Sequence, residues 1–342
     1  MKKNLSFFIA AIIMAGSLFA CSSGNNATVA DNDKIQIVTT IFPEYDWVTN
    51  VLGENPANAE VTMLLDNGVD LHSYQPTADD ILKISTCDMF VYVGGESDEW
   101  VEDTLAEATK KNMIVINLLD VLGDSVKEEE VVEGMQEEGH DHDHEGGEDA
   151  DADEDEHEHE EGEVEYDEHV WLSLRNTAII VQSISDSIEK IDPDNAENYR
   201  SNSSAYIEKL NSLDEEYKTA VQDASFHTLL FGDRFPFRYL VDDYGLDYYA
   251  AFVGCSAETE ASFETITFLA QKVDELGLPA VMTIEGTDHR IAETIIQDTQ
   301  GKDVQILTMD SMQSTTSTDV QNGTTYLSVM ENNLSVLKDA LN

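Results

Sequence analysis

Basic residues are scarce in this chain, and their scarcity limits the partners it can bind. Lysine and arginine together number 18, against 70 aspartates and glutamates, which gives a formal net charge of −52. A surface this acidic repels phosphate backbones and anionic lipid headgroups, and it attracts cations. Nucleic-acid binding is therefore excluded as a function class.

Cysteine is also rare, with three residues in the chain. No CxxC pair occurs, so a zinc site built from cysteines alone is excluded. Besides Cys21 the chain has Cys87 and Cys255, which the sequence leaves open between a disulfide and two free thiols. The helical HExxH pattern of zinc hydrolases is absent as well. We therefore expect a protein that is not an enzyme.

Long apolar runs are confined to the first residues. Two lysines precede an apolar stretch over residues 5–20, a pattern typical of a secretory signal peptide. Leu18-Phe19-Ala20-Cys21 resembles the lipobox of bacterial lipoproteins, in which the cysteine carries the lipid; the alternative is an ordinary signal peptide with an incidental cysteine. We expect a signal peptide at 1–20 and a tether at 21–34 that anchors an extracytoplasmic protein to the membrane through Cys21. No later apolar run approaches the roughly 20 residues of a membrane-spanning helix.

Acidity peaks between residues 127 and 168, where apolar residues are almost absent. Such a segment cannot bury enough apolar surface to offset its ordering entropy, so we predict a disordered loop over residues 127–166. Five histidines alternate with its acids: His140, His142, His144, His157 and His159. They favour an accessory metal collector over a purely solubilising tract, because solubility needs no imidazole. Metal binding by this loop should fade as the pH falls through about 6.5, where imidazoles become protonated.

Strand and helix patterns alternate on both sides of this loop. Predicted strands lie at 35–40, 61–65, 89–93 and 114–118 in the first half, and at 228–231, 248–252, 280–284 and 305–309 in the second. Between the halves, one apolar stripe predicts a single helix of about 25 residues, with Tyr199, Tyr206, Leu210, Leu213 and Tyr217 on one face. A long core helix within one domain is the alternative.

The alternation predicts an α/β fold of two lobes, each a mostly parallel sheet flanked by helices, joined by one long rigid helix. We expect an N-terminal lobe at 35–190, a connecting helix at 191–222 and a C-terminal lobe at 223–342.

Five residues are candidate metal ligands. Open α/β sheets bind small molecules and ions just beyond the carboxyl ends of their strands. His72, Asp233, Glu285 and Asp310 follow strands, and His169 begins a helix. Two imidazoles and two carboxylates suit a tetrahedral zinc ion, and manganese or iron can use the same ligand types. Each residue also has a plain structural interpretation as a loop residue, cap, turn or ion-pair partner, so spacing alone leaves the set open.

Three motifs carry a resemblance to a known family. Residues 68–77, Gly-Val-Asp-Leu-His-Ser-Tyr-Gln-Pro-Thr, resemble the first-ligand motif Gly-x-Asp-Pro-His-x-Tyr-x-Pro-x of the zinc and manganese solute-binding lipoproteins of ABC transporters (cluster A-I), with Leu71 in place of the proline. Residues 167–172, Asp-Glu-His-Val-Trp-Leu, are similar to the second-ligand motif Asp-Pro-His-x-Trp-Leu, again without its proline. Residues 306–311 resemble the segment that carries the last acidic ligand. The His-rich insertion is similar to that of the zinc-specific ZnuA and AdcA group, and the resemblance extends over residues 35–342.

The third ligand departs from the family, which usually offers His or Glu shortly before a Tyr-Gly-Leu sequence. Asp233 is the best positional substitute, and Cys255 and Glu258 are outside candidates. The resemblance therefore implies a metal site formed by His72, His169, Asp233 and Asp310, with Glu285 and Arg234 beside the ligands.

The resemblance further implies a monomer that holds Zn²⁺ between its lobes and delivers it to an ABC transporter permease. Two oxygen ligands make the site harder than a three-histidine site, which leaves Mn²⁺ open as the metal. The alternatives are a manganese- or iron-specific protein of the same architecture, and a surface metal buffer or adhesin without a transport role.

Overall fold

The computed structural model of the protein describes residues 34–136, 165–256, 260–301 and 303–342. The predicted signal peptide, the lipidation site Cys21, the five loop histidines and Glu258 lie outside these residues. Along the described ranges, no helix is long and apolar enough to span a membrane.

The first half of the chain forms a four-stranded parallel sheet with the strand order β2-β1-β3-β4. Its strands are β1 (Gln36–Thr39), β2 (Glu60–Met63), β3 (Met89–Tyr92) and β4 (Ile114–Asn117). Its helices are α1 (Phe42–Leu52), α2 (Ala78–Thr86), α3 (Trp100–Ala106), α4 (Leu118–Leu122) and α5 (Leu174–Ile191). Helix α2 begins with a reciprocal capping box, because Thr77 Oγ1 accepts from the Asp80 N–H while the Asp80 carboxylate accepts from the Thr77 N–H.

Helix α6 (Ala196–Gln222) joins the two halves and is 27 residues long, or about 40 Å. The predicted stripe of five residues is buried along one face of this helix. Tyr206 donates a hydrogen bond to Asp46 in α1, and Tyr217 donates one to the Met330 carbonyl near the chain's end. The helix is therefore packed against elements of both lobes.

The second half forms another four-stranded parallel sheet, with the order β6-β5-β7-β8. Its strands are β5 (Thr228–Phe235), β6 (Asp247–Val253), β7 (Ala280–Ile284) and β8 (Gln305–Met309). Its helices are α7 (Arg238–Tyr244), α8 (Phe263–Leu276), α9 (Arg290–Asp298), α10 (Ser317–Gln321) and α11 (Tyr326–Ala340). Together the sheets and α6 confirm the predicted two-lobed α/β architecture.

Strand β5 is longer than the sequence suggested. We expected the strand to end at Phe231 and Asp233 to follow it, but the strand continues to Phe235 through an irregular register between Phe231 and Arg234. Gly232 lies in this irregular stretch and lets α9 pack closely against the strand, because a Cβ there would lie 2.8 Å from the Ala292 backbone. Asp233 and Arg234 therefore belong to the strand rather than to the loop after it.

The first residue of α11 ties the end of the chain to the first lobe. The fully buried Tyr326 packs edge-on against Trp47, with ring centroids 5.4 Å apart. Its hydroxyl lies 2.6 Å from the Trp171 carbonyl and 2.9 Å from Thr177 Oγ1. One apolar core therefore runs from α1 and α5 to α11.

The ends of the predicted acidic loop are ordered. Glu128 and Tyr166 form an antiparallel bridge, and the Glu129 N–H donates to the Glu165 carbonyl at 2.9 Å. The Gln136 N–H donates to the Ala251 carbonyl in β6 at 3.0 Å. The loop predicted over residues 127–166 is thus fixed to the second lobe at its base, and residues 137–164 lie outside the described ranges.

Candidate metal centre

His72 lies at the carboxyl edge of the first sheet, in a short turn after β2. The turn Leu71–Ser73 is capped by Asp70, whose carboxylate accepts from the His72 N–H at 3.0 Å. The imidazole Nδ1 lies 2.7 Å from Ser97 Oγ and 3.4 Å from a Glu168 carboxylate oxygen. These contacts fix the ring and leave Nε2 to face away from them.

His169 is fully buried on the next motif along the chain. Asp167 Oδ1 accepts from the His169 N–H at 2.8 Å and lies 3.0 Å from the ring Nδ1. A carboxylate on the second ring nitrogen is the usual way that proteins orient a metal-binding histidine. Nε2 is left as the nitrogen that can bind an ion.

The Nε2 atoms of the two rings point at each other. The Nε2 atoms of His72 and His169 are 3.2 Å apart. Two nitrogens bound about 2.05 Å from a tetrahedral zinc ion would be about 3.3 Å apart. The pair therefore already has the spacing of two ligands of one ion.

Cys255 is the third member of this group. Among the described residues, His72, His169 and Cys255 offer ligand atoms that all lie within 4.8 Å of one another. Both Cys87 and Cys255 are free thiols, which answers the open question of a disulfide. Burial and the nearby Glu168 and Glu129 carboxylates raise the pKa of the Cys255 thiol. A bound metal ion reverses this tendency, because a coordinating thiol is deprotonated.

Asp233 and Asp310, which the sequence added to the two histidines, are not members of this three-residue group. Asp233 Oδ2 accepts from Thr287 Oγ1 at 2.9 Å and from the Ile284 N–H at 3.3 Å. Asp310 Oδ1 accepts from the Met312 N–H at 2.8 Å. Burial and the neighbouring Glu285 raise the pKa of Asp310 to about 6.

The two residues expected beside the ligands have identifiable contacts. Glu285 accepts from the Ser311 N–H at 2.7 Å and from the Ser311 hydroxyl at 2.8 Å, and so holds the loop after β8. Arg234 pairs with Asp70 across the lobes, with Nη2 2.5 Å from Oδ2. Burial alone would raise the pKa of Asp70, but the charge and hydrogen bond of Arg234 bring it below its usual value.

Gln313 is a neighbour that sequence reasoning missed. With its amide nitrogen turned toward Asp70, it donates to both carboxylate oxygens at 3.0 and 2.9 Å. Its amide oxygen then lies 3.1 Å from His169 Nε2. Glutamine is an uncommon ligand of zinc and no family motif marked it, so no signal in the sequence singled it out.

An acidic cavity lies beside the side chains of His72 and Cys255. It has a volume of about 270 Å³ and is lined by His72, Glu96, Ser97, Glu129, Glu165, Tyr166, Glu168 and Cys255. Glu129 and Glu165 also form the ordered base of the acidic loop over residues 127–166, which we call the His-rich segment. Carboxylates that line a cavity concentrate cations there. The cavity therefore suits the entry of a metal ion from the side on which that segment is attached.

The chain is similar in sequence to proteins that are named for zinc binding and zinc uptake. Residues 37–340 match the family model described as zinc-uptake complex component A, periplasmic. The chain is 30% identical over 350 residues to the zinc-binding protein AdcA of Streptococcus pyogenes serotype M6, covering 99% of this chain and 61% of that protein. It is 30% identical over 334 residues to the high-affinity zinc uptake system protein ZnuA of Bacillus subtilis, covering 96% of each. The chain thus spans about three fifths of the length of the first of these relatives.

A solved structure is similar as well. The Zn(II)-bound ZnuA-like domain of Streptococcus pneumoniae AdcA superposes with a TM-score of 0.66 at 29% identity, covering 90% of this chain and 99% of that domain. The likeness covers both lobes and the helix between them.

Proposed function

Since the chain belongs to the zinc-uptake complex component A family, we propose that it captures zinc outside the membrane and delivers it to the permease of an ABC transporter. The observation that carries this proposal is the pair of oriented imidazoles, whose Nε2 atoms lie 3.2 Å apart at the edge of the first sheet. The relatives named for zinc binding and zinc uptake support the choice of metal.

We propose that His72 and His169 supply two nitrogen ligands from the first lobe. The sequence motifs favour Asp310 and Asp233 of the second lobe as oxygen ligands, and Cys255 is the competitor that the geometry introduces. An ion held by both lobes stabilises the contact between them, because its full binding free energy is gained only when the ligands of both lobes are in place. Release then requires that the permease separate ligands of one lobe from those of the other.

The lobes are expected to move little when the ion binds. Helix α6 is buried along one face, and Tyr206 and Tyr217 bond it to α1 and to the α11 backbone. A wide hinge motion would break these buried hydrogen bonds, each of which costs about 1–3 kcal/mol when one partner is left unsatisfied. Small displacements of the loops that carry the ligands avoid this cost.

A role in binding fits the site better than catalysis. Both Nδ1 atoms contact neighbouring acids or a serine, and both Nε2 atoms converge on one point, so neither imidazole is placed to act as a general base on a substrate. We propose a monomeric, lipid-anchored, extracytoplasmic binding protein, with the His-rich segment as an accessory collector. The alternatives to be tested are a manganese- or iron-specific protein of the same architecture, and a surface metal buffer or adhesin without a transport role.

Uptake of radiolabelled zinc by cells that lack this gene tests the proposal. Wild-type protein should restore uptake, whereas His72→Ala and His169→Ala should not. His227→Ala is the matched control, because His227 is an exposed histidine that is not grouped with His72, His169 and Cys255. If the wild-type protein fails to restore zinc uptake but restores manganese uptake, zinc is the wrong cargo. If the cells show no metal-uptake defect, a buffer or adhesin is the better interpretation.

A further inference from the structure

We propose that Cys255 binds the captured ion as a thiolate, in the place that Asp233 was expected to fill. This inference rests on the proposed function, because it concerns the same ion. In a tetrahedral zinc site with bonds of about 2.3 Å to sulfur and 2.05 Å to nitrogen, the sulfur and nitrogen ligands are about 3.6 Å apart. The ligand atoms of Cys255, His72 and His169 all lie within 4.8 Å of one another. A shift of little more than 1 Å at most brings the three to binding distance.

The backbone before Cys255 is built against the histidine. Strand β6 ends at Val253, and Gly254 follows. A Cβ added to Gly254 would lie 2.8 Å from His169 Cε1 and 3.0 Å from its Nδ1. Only glycine lets the chain lie directly on the imidazole, and that close approach delivers the next side chain to the edge of the ring.

A second contact holds the backbone of Cys255. The Cys255 N–H lies 3.4 Å from Glu129 Oε1, at the ordered base of the His-rich segment. Cys255 and His72 also line the same acidic cavity of about 270 Å³. Cys255 therefore lies with His72 on the wall of the cavity through which we expect an ion to enter.

Asp233, in contrast, is committed to the protein's own structure. Its carboxylate accepts from Thr287 Oγ1, from the Ile284 N–H and from the Arg234 N–H. These contacts bind β5 to the end of β7. To reach the ion, Asp233 would have to give up buried hydrogen bonds, each worth about 0.5–1.5 kcal/mol. Its neighbour Arg234 carries a permanent positive charge and cannot bind a cation.

A thiolate changes which metal the site prefers. Soft sulfur ligands select zinc over manganese, which favours oxygen ligands. A site with His72, His169 and Cys255 therefore discriminates against Mn²⁺ without a third histidine. The departure of this chain from the family's third-ligand motif then preserves zinc selectivity through a different residue.

X-ray absorption at the zinc edge tests the inference directly. Protein loaded with one equivalent of zinc should show a sulfur neighbour at about 2.3 Å, in addition to nitrogen or oxygen at about 2.0–2.1 Å. Cys255→Ser should remove the sulfur signal and narrow the preference for Zn²⁺ over Mn²⁺. Cys87→Ser is the matched thiol control and should keep the sulfur signal, because Cys87 is buried against the Ile84 carbonyl and is not grouped with His72, His169 and Cys255. Asp233→Asn should also keep the sulfur signal.

The outcomes separate this inference from the proposed function. If the wild-type protein shows no sulfur neighbour, or if Cys255→Ser keeps it, the cysteine is not a ligand. If zinc affinity is then still lost in His72→Ala, capture by the histidines stands without the cysteine. If instead the His72→Ala and His169→Ala variants bind zinc as tightly as the wild type, the proposed site itself is wrong. The wild-type spectrum alone decides the role of sulfur if a variant does not fold.

Discussion

Removal of the ion pair between Arg234 and Asp70 should weaken the contact between the two lobes. Arg234 lies on β5 of the second lobe, and Asp70 caps the turn that carries His72 in the first. Arg234→Gln removes the positive charge, and Asp70→Asn removes the negative charge while keeping an oxygen that can cap the turn. The two changes together allow a double-mutant cycle that isolates the energy of the pair.

The structure sets the magnitude of this coupling. At a charge separation of about 4 Å and an effective dielectric constant near 20, the attraction is about 4 kcal/mol. The side chains are 20% and 23% exposed, so part of this attraction is offset by the removal of both charges from water. Exposed pairs contribute about 0–1 kcal/mol, and loss of one partner from a buried pair costs about 3–5 kcal/mol. We therefore expect a coupling energy of about 2 kcal/mol.

Urea unfolding of the metal-free protein at low salt measures the cycle. Arg234 and its hydrogen bond hold the pKa of Asp70 below its usual value, although burial alone would raise it. A carboxyl group with a lowered folded-state pKa contributes stability that is present above its unfolded pKa of about 3.9 and is lost as the pH falls through the folded value. The coupling should therefore be constant between pH 5 and pH 8.

A matched cycle on the more exposed pair of Arg238 and Glu130 provides the control, and it should give a smaller value. A coupling below about 0.5 kcal/mol for Arg234 and Asp70, the level of additivity between independent sites, would refute the reasoning.

Three further changes test other parts of the structure. Burial raises the pKa of the Asp46 carboxyl to about 6 in the folded protein. The stability that this raised pKa contributes is fully present below the unfolded-state pKa of about 4 and is lost as the pH rises through 6. Asp46→Asn should therefore raise the free energy of unfolding by about 2–3 kcal/mol at pH 7 and have little effect near pH 4, which urea titrations at both pH values check. Gly254→Ala should lower zinc affinity by about tenfold or more in calorimetry with the fold intact, because the added Cβ displaces His169; an unchanged affinity would contradict the packing. Glu129→Gln should slow zinc association in stopped-flow at low salt but not at high salt, whereas Glu107→Gln, an exposed residue that does not line the acidic cavity, should have no effect.

The fold could be predicted from sequence because its signals are local. Each strand is a short β-branched or aromatic run, and each long helix carries a buried stripe that repeats along the chain, as Tyr206 and Tyr217 do on α6. The extension of β5 could not be predicted. Gly232 and Asp233 are typical turn residues, and the packing of α9 against Gly232 is a tertiary contact that the local sequence does not reveal.

The site could be predicted only in part, for a related reason. His72 and His169 each lie in a motif whose local turn is capped by its own aspartate, so the motif itself identifies them. Cys255 and Gln313 reach the same point only through the arrangement of the two lobes. Sequence spacing contains no information on that arrangement, and the Gly254 contact that places Cys255 is visible only in three dimensions.

Titration of the metal-stripped protein with zinc tests most directly whether one tight site lies at the paired histidines. The comparison needs the wild type, His72→Ala, and a deletion of residues 137–164, which leaves the ordered base of the His-rich segment in place. One tight zinc site should survive the deletion and disappear in His72→Ala, and this result would establish capture by the lobes with the segment as an accessory. If tight binding is lost with the deletion and is unchanged in His72→Ala, the ion is held by the segment, and the protein is a surface metal buffer.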